Sequence, residues 1–487
     1  MGALVAVLSK KGGNVAEKAL AMLEALRHRY NGSYGIASAT TISMVKAATR
    51  TTIKNFSSPR IIGYGLAAIT SDDKPQPILA KNYALTFEGR IYQTESSSKI
   101  SFILNFLGEN PEEKARELVK SVNGSYTFAI STKNNLIVGR DPVGVRPLYY
   151  GENNELCAVA PEKKALWKIG IRETASFPPG NIAFVDENGF RFECIRVFER
   201  KKPLENLDTE RAAEKLAEIL SKSVFDRVKD VKKIAIAFSG GVDSGVIALL
   251  AKEANVDVQL FCVGCKDKPE FRNAQLAAEE LGLPLTTYCI CKEDVEEVLP
   301  KVLWLIEEAD PVKTCIAVPI FLTAQKASED GYKVLLAGQG GDELFGGYWR
   351  YLRILKEKGA EILQEKLYLD VVNSYLNNFE RDEKLCSFHK IELRLPFADS
   401  QLIEYALKLP LNMKISSEKD ELRKMVLRKA AEKLGLPKSI AYRKKKAIQY
   451  STGVAQLLRH LAKKKELSLR DYITKIFNEL NFERGIP

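Results

Sequence analysis

The chain has 487 residues, of which 45% are apolar and 28% charged, and its formal net charge is +11. The length suffices for two or three ordinary domains, and the composition is that of a soluble globular protein. No apolar run approaches the ~20 residues that cross a bilayer, and no basic flank precedes an apolar core at the amino terminus, so a cytoplasmic protein without a signal peptide is expected.

The positive balance fits a lysine-rich surface or acidic small-molecule substrates. No arginine-rich tail or RNA-binding signature accompanies it, so neither nucleic acid nor a membrane is an expected partner. A homodimer stays open.

In chain order, apolar spacing predicts one early helix over 16–28. Short strands bounded by Gly, Asn and Asp turns follow: "RIIGYGLAAIT", "SYTFAIST", "NLIVGRD" and "NIAFVDENGFRFECIRVF". Residues 1–198 therefore read as a layered α+β domain. The charged stretch "ERKKPLENLDTE" (199–210), with Pro203, reads as a linker.

From 211 to 487 the pattern becomes α/β. "KIAIAF" (233–238) is an uninterrupted apolar strand and 243–254 a helix. "VQLFCVG" and "LPLTTYCIC" are strands around the helix "EFRNAQLAAEELG", and "KVLLAG" (333–338) is a further strand. Such strands between amphipathic helices predict a parallel sheet covered on both faces. Beyond Gly346 the chain reads as helical.

Two loops carry the chemistry. "FSGGVDSG" (238–245) turns a buried strand into a helix. Ser239, Gly240 and Gly241 allow close backbone approach to an anion, and the helix's first turn, with Asp243 and Ser244, offers N–H groups and a positive dipole end. No lysine follows the glycines, so this is not the kinase-type loop. "GQGGDELFGGYWRY" (338–351) follows the next strand, with Gly338 and Gly340 flanking Gln339. Asp243 and Asp342 both fall at carboxyl ends of parallel strands, a placement suited to Mg²⁺ bridging phosphates. A helix-cap role for Asp342 is the alternative.

"SGGVDS" resembles the pyrophosphate loop of the ATP pyrophosphatases, which split ATP into AMP and pyrophosphate. "GQGGDELFGGY" resembles the asparagine-synthetase signature, as do "KIELRLPFAD" (390–399) and the basic run of 421–453. The resemblance implies a parallel-sheet ATP pyrophosphatase domain with a helical carboxyl-terminal part, using ATP and Mg²⁺ to adenylate a carboxylate such as aspartate before ammonia attacks. It places the catalytic lysine at Lys445, with Lys446 as the fallback, Val263 and Gly264 near the adenine, and Glu383 at the substrate's amino group. A solvated face is the other reading of the basic run. One departure stands out: Gln339 replaces the family's glutamate, and an amide cannot act as a general base.

The first domain resembles the class II glutamine amidotransferases through "GRDPVGVRPLYYG" (139–151) and its flanks. That implies the four-layer α/β/β/α fold of amino-terminal-nucleophile hydrolases. Their chemistry needs a cysteine directly after Met1, and this chain has Gly2, its first cysteine being Cys157. Leu66, Glu88 and Ser97 replace the family's arginine clamp, oxyanion asparagine and amine-side aspartate. The expectation is that no glutaminase nucleophile exists and ammonia is used directly.

Three alternatives remain open. β-Lactam synthetase resembles the family and also carries an inactive glutaminase domain, so another carboxylate or amine is one. A non-catalytic ATP-binding scaffold is the second. The third concerns Cys262, Cys265, Cys289 and Cys291, which end adjacent strands and read as buried small residues, a disulfide or a metal set.

Overall fold

The computed structural model describes residues 2–45, 53, 55–92, 98–204, 207–266, 268–444, 452–482 and 485. The chain divides into two compact units. The first comprises 1–197 with 387–390 and 481–486; the second comprises 198–386 with 391–480.

In the first unit the turn-bounded segments form β1 (Gly2–Ser9), β2 (Tyr34–Ala37), β3 (Ile42–Val45), β4 (Arg60–Leu66), β5 (Ile78–Leu79), β6 (Ala84–Ile91), β7 (Gly124–Ser131), β8 (Leu136–Arg140), β9 (Tyr149–Glu152), β10 (Leu156–Ala160), β11 (Ala175–Ser176), β12 (Asn181–Asp186) and β13 (Gly189–Cys194). They pair into two sheets, ordered β11-β9-β10-β1-β4-β2-β3 and β13-β12-β8-β7-β6-β5. Leu4, Leu8, Ile62 and Tyr64 of the first sheet pack on Ala129, Val138 and Ala183 of the second.

Both sheets are covered on their outer faces as well, which is why their central strands are apolar on both sides. Helices α1 (Ala16–Ala25), α2 (Lys99–Leu107), α3 (Pro111–Ser121) and α4 (Lys163–Lys168) supply the cover. α1 and α4 lie on the first sheet, while Ile103, Leu107, Leu118 and Val119 of α2 and α3 meet Phe87, Phe128 and Ile137 of the second. The result is four layers, α/β/β/α. The sequence reading marks only the first of these helices, because "KISFILNFL" is rich in β-branched and aromatic residues and scores equally as a strand.

The second unit opens with α5 (Thr209–Val228) and alternates β14 (Lys233–Ala237), α6 (Val242–Glu253), β15 (Asp257–Gly264), α7 (Pro269–Leu281), β16 (Leu285–Cys289), α8 (Lys292–Ile306), α9 (Pro311–Glu329) and β17 (Val334–Leu336). Then come α10 (Gly341–Phe345), α11 (Trp349–Val372), α12 (Glu380–Phe388) and β18 (Glu392–Arg394). The sheet is parallel throughout, in the order β16-β15-β14-β17-β18. β18 lies where the sequence reads as helical. Its three residues carry charges at both ends, and burial is tolerated because Arg394 bonds Glu392 at 2.9 Å and reaches Asp230. Among the described residues, no helix is long and apolar enough to cross a membrane.

Candidate active site

β14 and β17 are neighbours in parallel register, with Ala235 opposite Leu335 and Ile236 opposite Leu336. The Gly-rich turns that follow them therefore emerge side by side at the carboxyl edge of the sheet, where α/β proteins build their sites. The two turns touch: a Cβ on Gly338 would lie 2.9 Å from the Asp243 Cβ. Gly240 and Gly340 turn the chain at φ of 68° and 95°. Gly241 caps α6 without a side chain, leaving the helix's first N–H groups directed outward beside exposed Ser239. Ser244 is turned inward; its hydroxyl accepts the Ser239 N–H at 3.2 Å and braces the loop. Val263 and Gly264 end β15, the strand next to β14.

Asp243 and Asp342 converge, as the sequence predicts, but on a residue the sequence does not single out. Lys424 Nζ lies 2.6 Å from Asp243 Oδ2 and 2.6 Å from Asp342 Oδ1, and its side chain is 1% exposed. Two neighbouring carboxylates also suit a divalent ion, so the chemistry of the pair fits Mg²⁺. Lys424 is aimed by an unusual backbone: Arg423 and Lys424 are consecutive left-handed residues, at φ of 55° and 56°. Asp420 holds that turn by accepting the N–H groups of Leu422 and Arg423 at 3.1 and 2.8 Å. Fully buried Arg428 binds the carbonyls of Leu422 and Arg423 at 2.6 and 2.7 Å. Lys445 and Lys446, the residues chosen by register, lie outside the described residues, as does Ser97.

On its Gly347 side this ion cluster leaves no space. A Cβ on Gly347 would lie 1.9 Å from Asp342 Oδ1 and 2.2 Å from Lys424 Cε. Gly347→Ala is expected to part Lys424 from Asp342, lowering stability by about 1–3 kcal/mol, the usual cost of overpacking. Calorimetry checks this; an unchanged melting temperature would contradict the packing.

Gln339 faces a carboxylate of its own. Its Nε2 donates to Asp382 Oδ2 at 2.6 Å, and Arg381 Nε donates to Asp382 Oδ1 at 2.7 Å. Burial pushes the Asp382 carboxyl above its ordinary range, against the opposing pull of Arg381 and Gln339. Glu383 is fully buried on α12; it is the preceding residue that meets Gln339. Nothing in the sequence pattern could have paired positions so far apart.

The four cysteines near the sheet edge form no disulfide: Cys262 is buried, Cys265 intermediate, Cys289 and Cys291 exposed. Among the described residues, no group of three or more His, Cys, Asp or Glu is arranged to hold a metal.

In the first unit residue 2 has no room for a side chain. A Cβ on Gly2 would meet the Gly65 carbonyl oxygen at 2.2 Å and the Tyr64 ring at 2.6 Å. The Gly2 N–H donates to Glu88 Oε1 at 3.3 Å, and Arg29 Nε donates to the Gly2 carbonyl at 3.1 Å. Arg29 also pairs with Glu162 at 2.9 Å, and Glu88 and Glu162 are both buried. Leu66 is buried in the same strand as Tyr64. Asp141 of "GRDPVG" is architectural. It accepts the N–H groups of Tyr126, Val143 and Gly144 at 2.8–3.0 Å, and burial pushes its carboxyl up against those bonds.

Fold and site together define a nucleotide-handling parallel-sheet domain that follows an amidotransferase-like domain in the chain. The asparagine synthase family model matches residues 215–361 and 353–480, and the glutamine amidotransferase domain model matches 64–168. A relative from Methanocaldococcus jannaschii, "Putative asparagine synthetase (glutamine-hydrolyzing) 1", is 36% identical over 401 residues, covering 72% of this chain and 73% of that protein. Asparagine synthetase B (glutamine-hydrolyzing) of Escherichia coli is 27% identical, covering 75% and 67%. The Zea mays asparagine synthetase (glutamine-hydrolyzing) is 28% identical, covering 79% and 68%. The chain belongs to the asparagine synthase family, whose general chemistry is ATP-dependent amide formation.

Proposed function

We propose that the chain adenylates a carboxylate, with aspartate the leading candidate, and joins it to ammonia directly, without hydrolysing glutamine. The observation that carries this reading is the convergence of two Gly-rich turns, Asp243, Asp342 and buried Lys424 on one sheet edge. A carboxylate is a poor acceptor for an amine; transfer of AMP to it makes a mixed anhydride with a good leaving group. The N–H groups opening α6 and the Gly240–Gly241 backbone receive the phosphates. Asp243 and Asp342 would hold Mg²⁺, which supplies charge neutralisation across the phosphates. Lys424 stabilises negative charge gathering on the departing pyrophosphate.

The closed position at Gly2 supports ammonia as donor. The relatives named above are glutamine-hydrolysing by name; this chain keeps their first domain while filling its nucleophile position. The departure at Gln339 favours one second reading, an adenylating ligase for another carboxylate or amine. Pyrophosphate release from ATP, measured with aspartate and with other carboxylates, separates the two. Release with aspartate and asparagine formed from ammonium salts is the expected result. Release only with another carboxylate would replace aspartate; no release with any would overturn the enzymatic reading and favour a scaffold.

A further inference from the structure

Gln339 sits at the reacting edge, between two glycines of the turn that presses on Asp243. The residue is partly exposed at that edge. Its amide has two ends of opposite character, two donors on Nε2 and an acceptor on Oε1, pointing apart from the same carbon. One end is committed: Nε2 lies 2.6 Å from Asp382 Oδ2. Asp382 cannot turn away, because it is 1% exposed and its other oxygen takes the Arg381 Nε at 2.7 Å. A charge-assisted bond of this length is among the stronger side-chain hydrogen bonds.

We infer that Asp382 is a positioning residue that pins the Gln339 amide so that Oε1 faces the site and orients a neutral amine for attack on the acyl adenylate. This rests on the amide-forming reading above. A carbonyl oxygen accepts an N–H from ammonia but has no charge with which to attract ammonium. The nitrogen lone pair forms the C–N bond, the C–O bond to AMP breaks with its electron pair leaving on AMP, and the nitrogen sheds one proton to water. Gln339 thus orients the nucleophile without serving as its base, and the rate at fixed total ammonium rises with the neutral fraction as pH increases.

The test measures amide formed per pyrophosphate released, together with KM for ammonium and for ATP. Asp382→Asn offers either end of an amide to Gln339, so the pin loosens. Amide per pyrophosphate should fall about tenfold, the worth of one oriented hydrogen bond, with KM for ammonium rising and KM for ATP nearly unchanged. Gln339→Leu leaves the Arg381–Asp382 pair intact and should give the same fall, which guards against a folding defect. Gln339→Glu sets carboxylate against carboxylate and should be worse. Gln339→Glu with Asp382→Asn restores a donor–acceptor pair and should recover to within about threefold of the unaltered protein, a coupling that independent sites do not show.

Additive losses in the double variant overturn the pin. Proportional loss of pyrophosphate and amide in Asp382→Asn does so too, because it marks a purely structural role. Wild-type amide yield from Gln339→Leu removes Gln339 from the step. If the unaltered protein releases no pyrophosphate with any carboxylate, the amide-forming reading itself fails and this role falls with it.

Discussion

Lys424→Met is expected to reduce pyrophosphate release by about a thousandfold or more, the scale of losing a preorganised charge at the seat of developing negative charge. Lys424 is the buried meeting point of Asp243 and Asp342, at 2.6 Å from each. Methionine keeps the volume of the stem and removes the charge, leaving two carboxylates, 14% and 13% exposed, face to face. Breaking a buried ion pair from one side costs about 3–5 kcal/mol. The variant should therefore melt at a lower temperature. A divalent cation can bind the two bared carboxylates, so added Mg²⁺ should restore part of the variant's lost melting temperature and raise that of the unaltered protein less, since its ammonium already neutralises them. Arginine should not rescue, because Gly347 and Asp342 already crowd the Lys424 stem. Pyrophosphate assays and melting curves with and without Mg²⁺ check each part; turnover at the wild-type rate in Lys424→Met would remove the lysine from the chemistry.

The loop that aims Lys424 shows why the sequence did not reveal it. The run 421–453 lies in the stretch that reads as helical and resembles the family's tail, which points to Lys445, with a solvated face as its other reading, and the chain does turn helical at Met425. Lys424 sits one residue earlier, in a left-handed turn that non-glycine residues enter at a cost of about 1–2 kcal/mol each. Propensity reasoning argues against such a turn. What forces it is tertiary: the Asp420 carboxylate on the N–H groups of Leu422 and Arg423, Arg428 on the carbonyls, and Arg423 Nε on the Gly347 carbonyl at 3.1 Å.

The two Gly-rich turns were legible for the opposite reason. Each is a local event, a continuous apolar strand ending in glycines, and the neighbouring places of β14 and β17 in one parallel sheet bring Asp243 to Asp342 without further information. The bond between Gln339 and Asp382 is of the first kind. Asp382 reads as one of several charges on a helix, and only the packing of α12 against the turn after β17 shows which carboxylate the amide meets. β18 was hidden because a three-residue strand with Glu392 and Arg394 at its ends carries no alternation to read.

Glutamine supplied to the purified protein is expected to yield no glutamate, and Gly2→Cys is expected not to create that activity even if Met1 is removed. A thiol at residue 2 needs a Cβ, and that Cβ would overlap the Gly65 backbone oxygen and the Tyr64 ring. Gly65 belongs to β4, paired to β1 with Gly2 opposite Leu66, so its backbone oxygen cannot yield without parting the two strands. Overpacking in such a core costs about 1–3 kcal/mol, and the variant should melt lower than the unaltered protein. Were the thiol accommodated, the carbonyl oxygen under attack would develop negative charge beside Glu88, a buried carboxylate that takes the Gly2 N–H. An oxyanion needs donors there, and a carboxylate raises the barrier instead. Glu88→Asn in the Gly2→Cys background removes that repulsion but leaves the overlap with β4 and the apolar Leu66, so it should remain inactive. Glutamate release by the unaltered protein at a rate matching its amide formation would refute the ammonia reading. The expected pattern, turnover with ammonium salts alone, would mean that the first domain keeps its four-layer fold without its former catalytic terminus, which Arg29 and Glu88 now hold as structure.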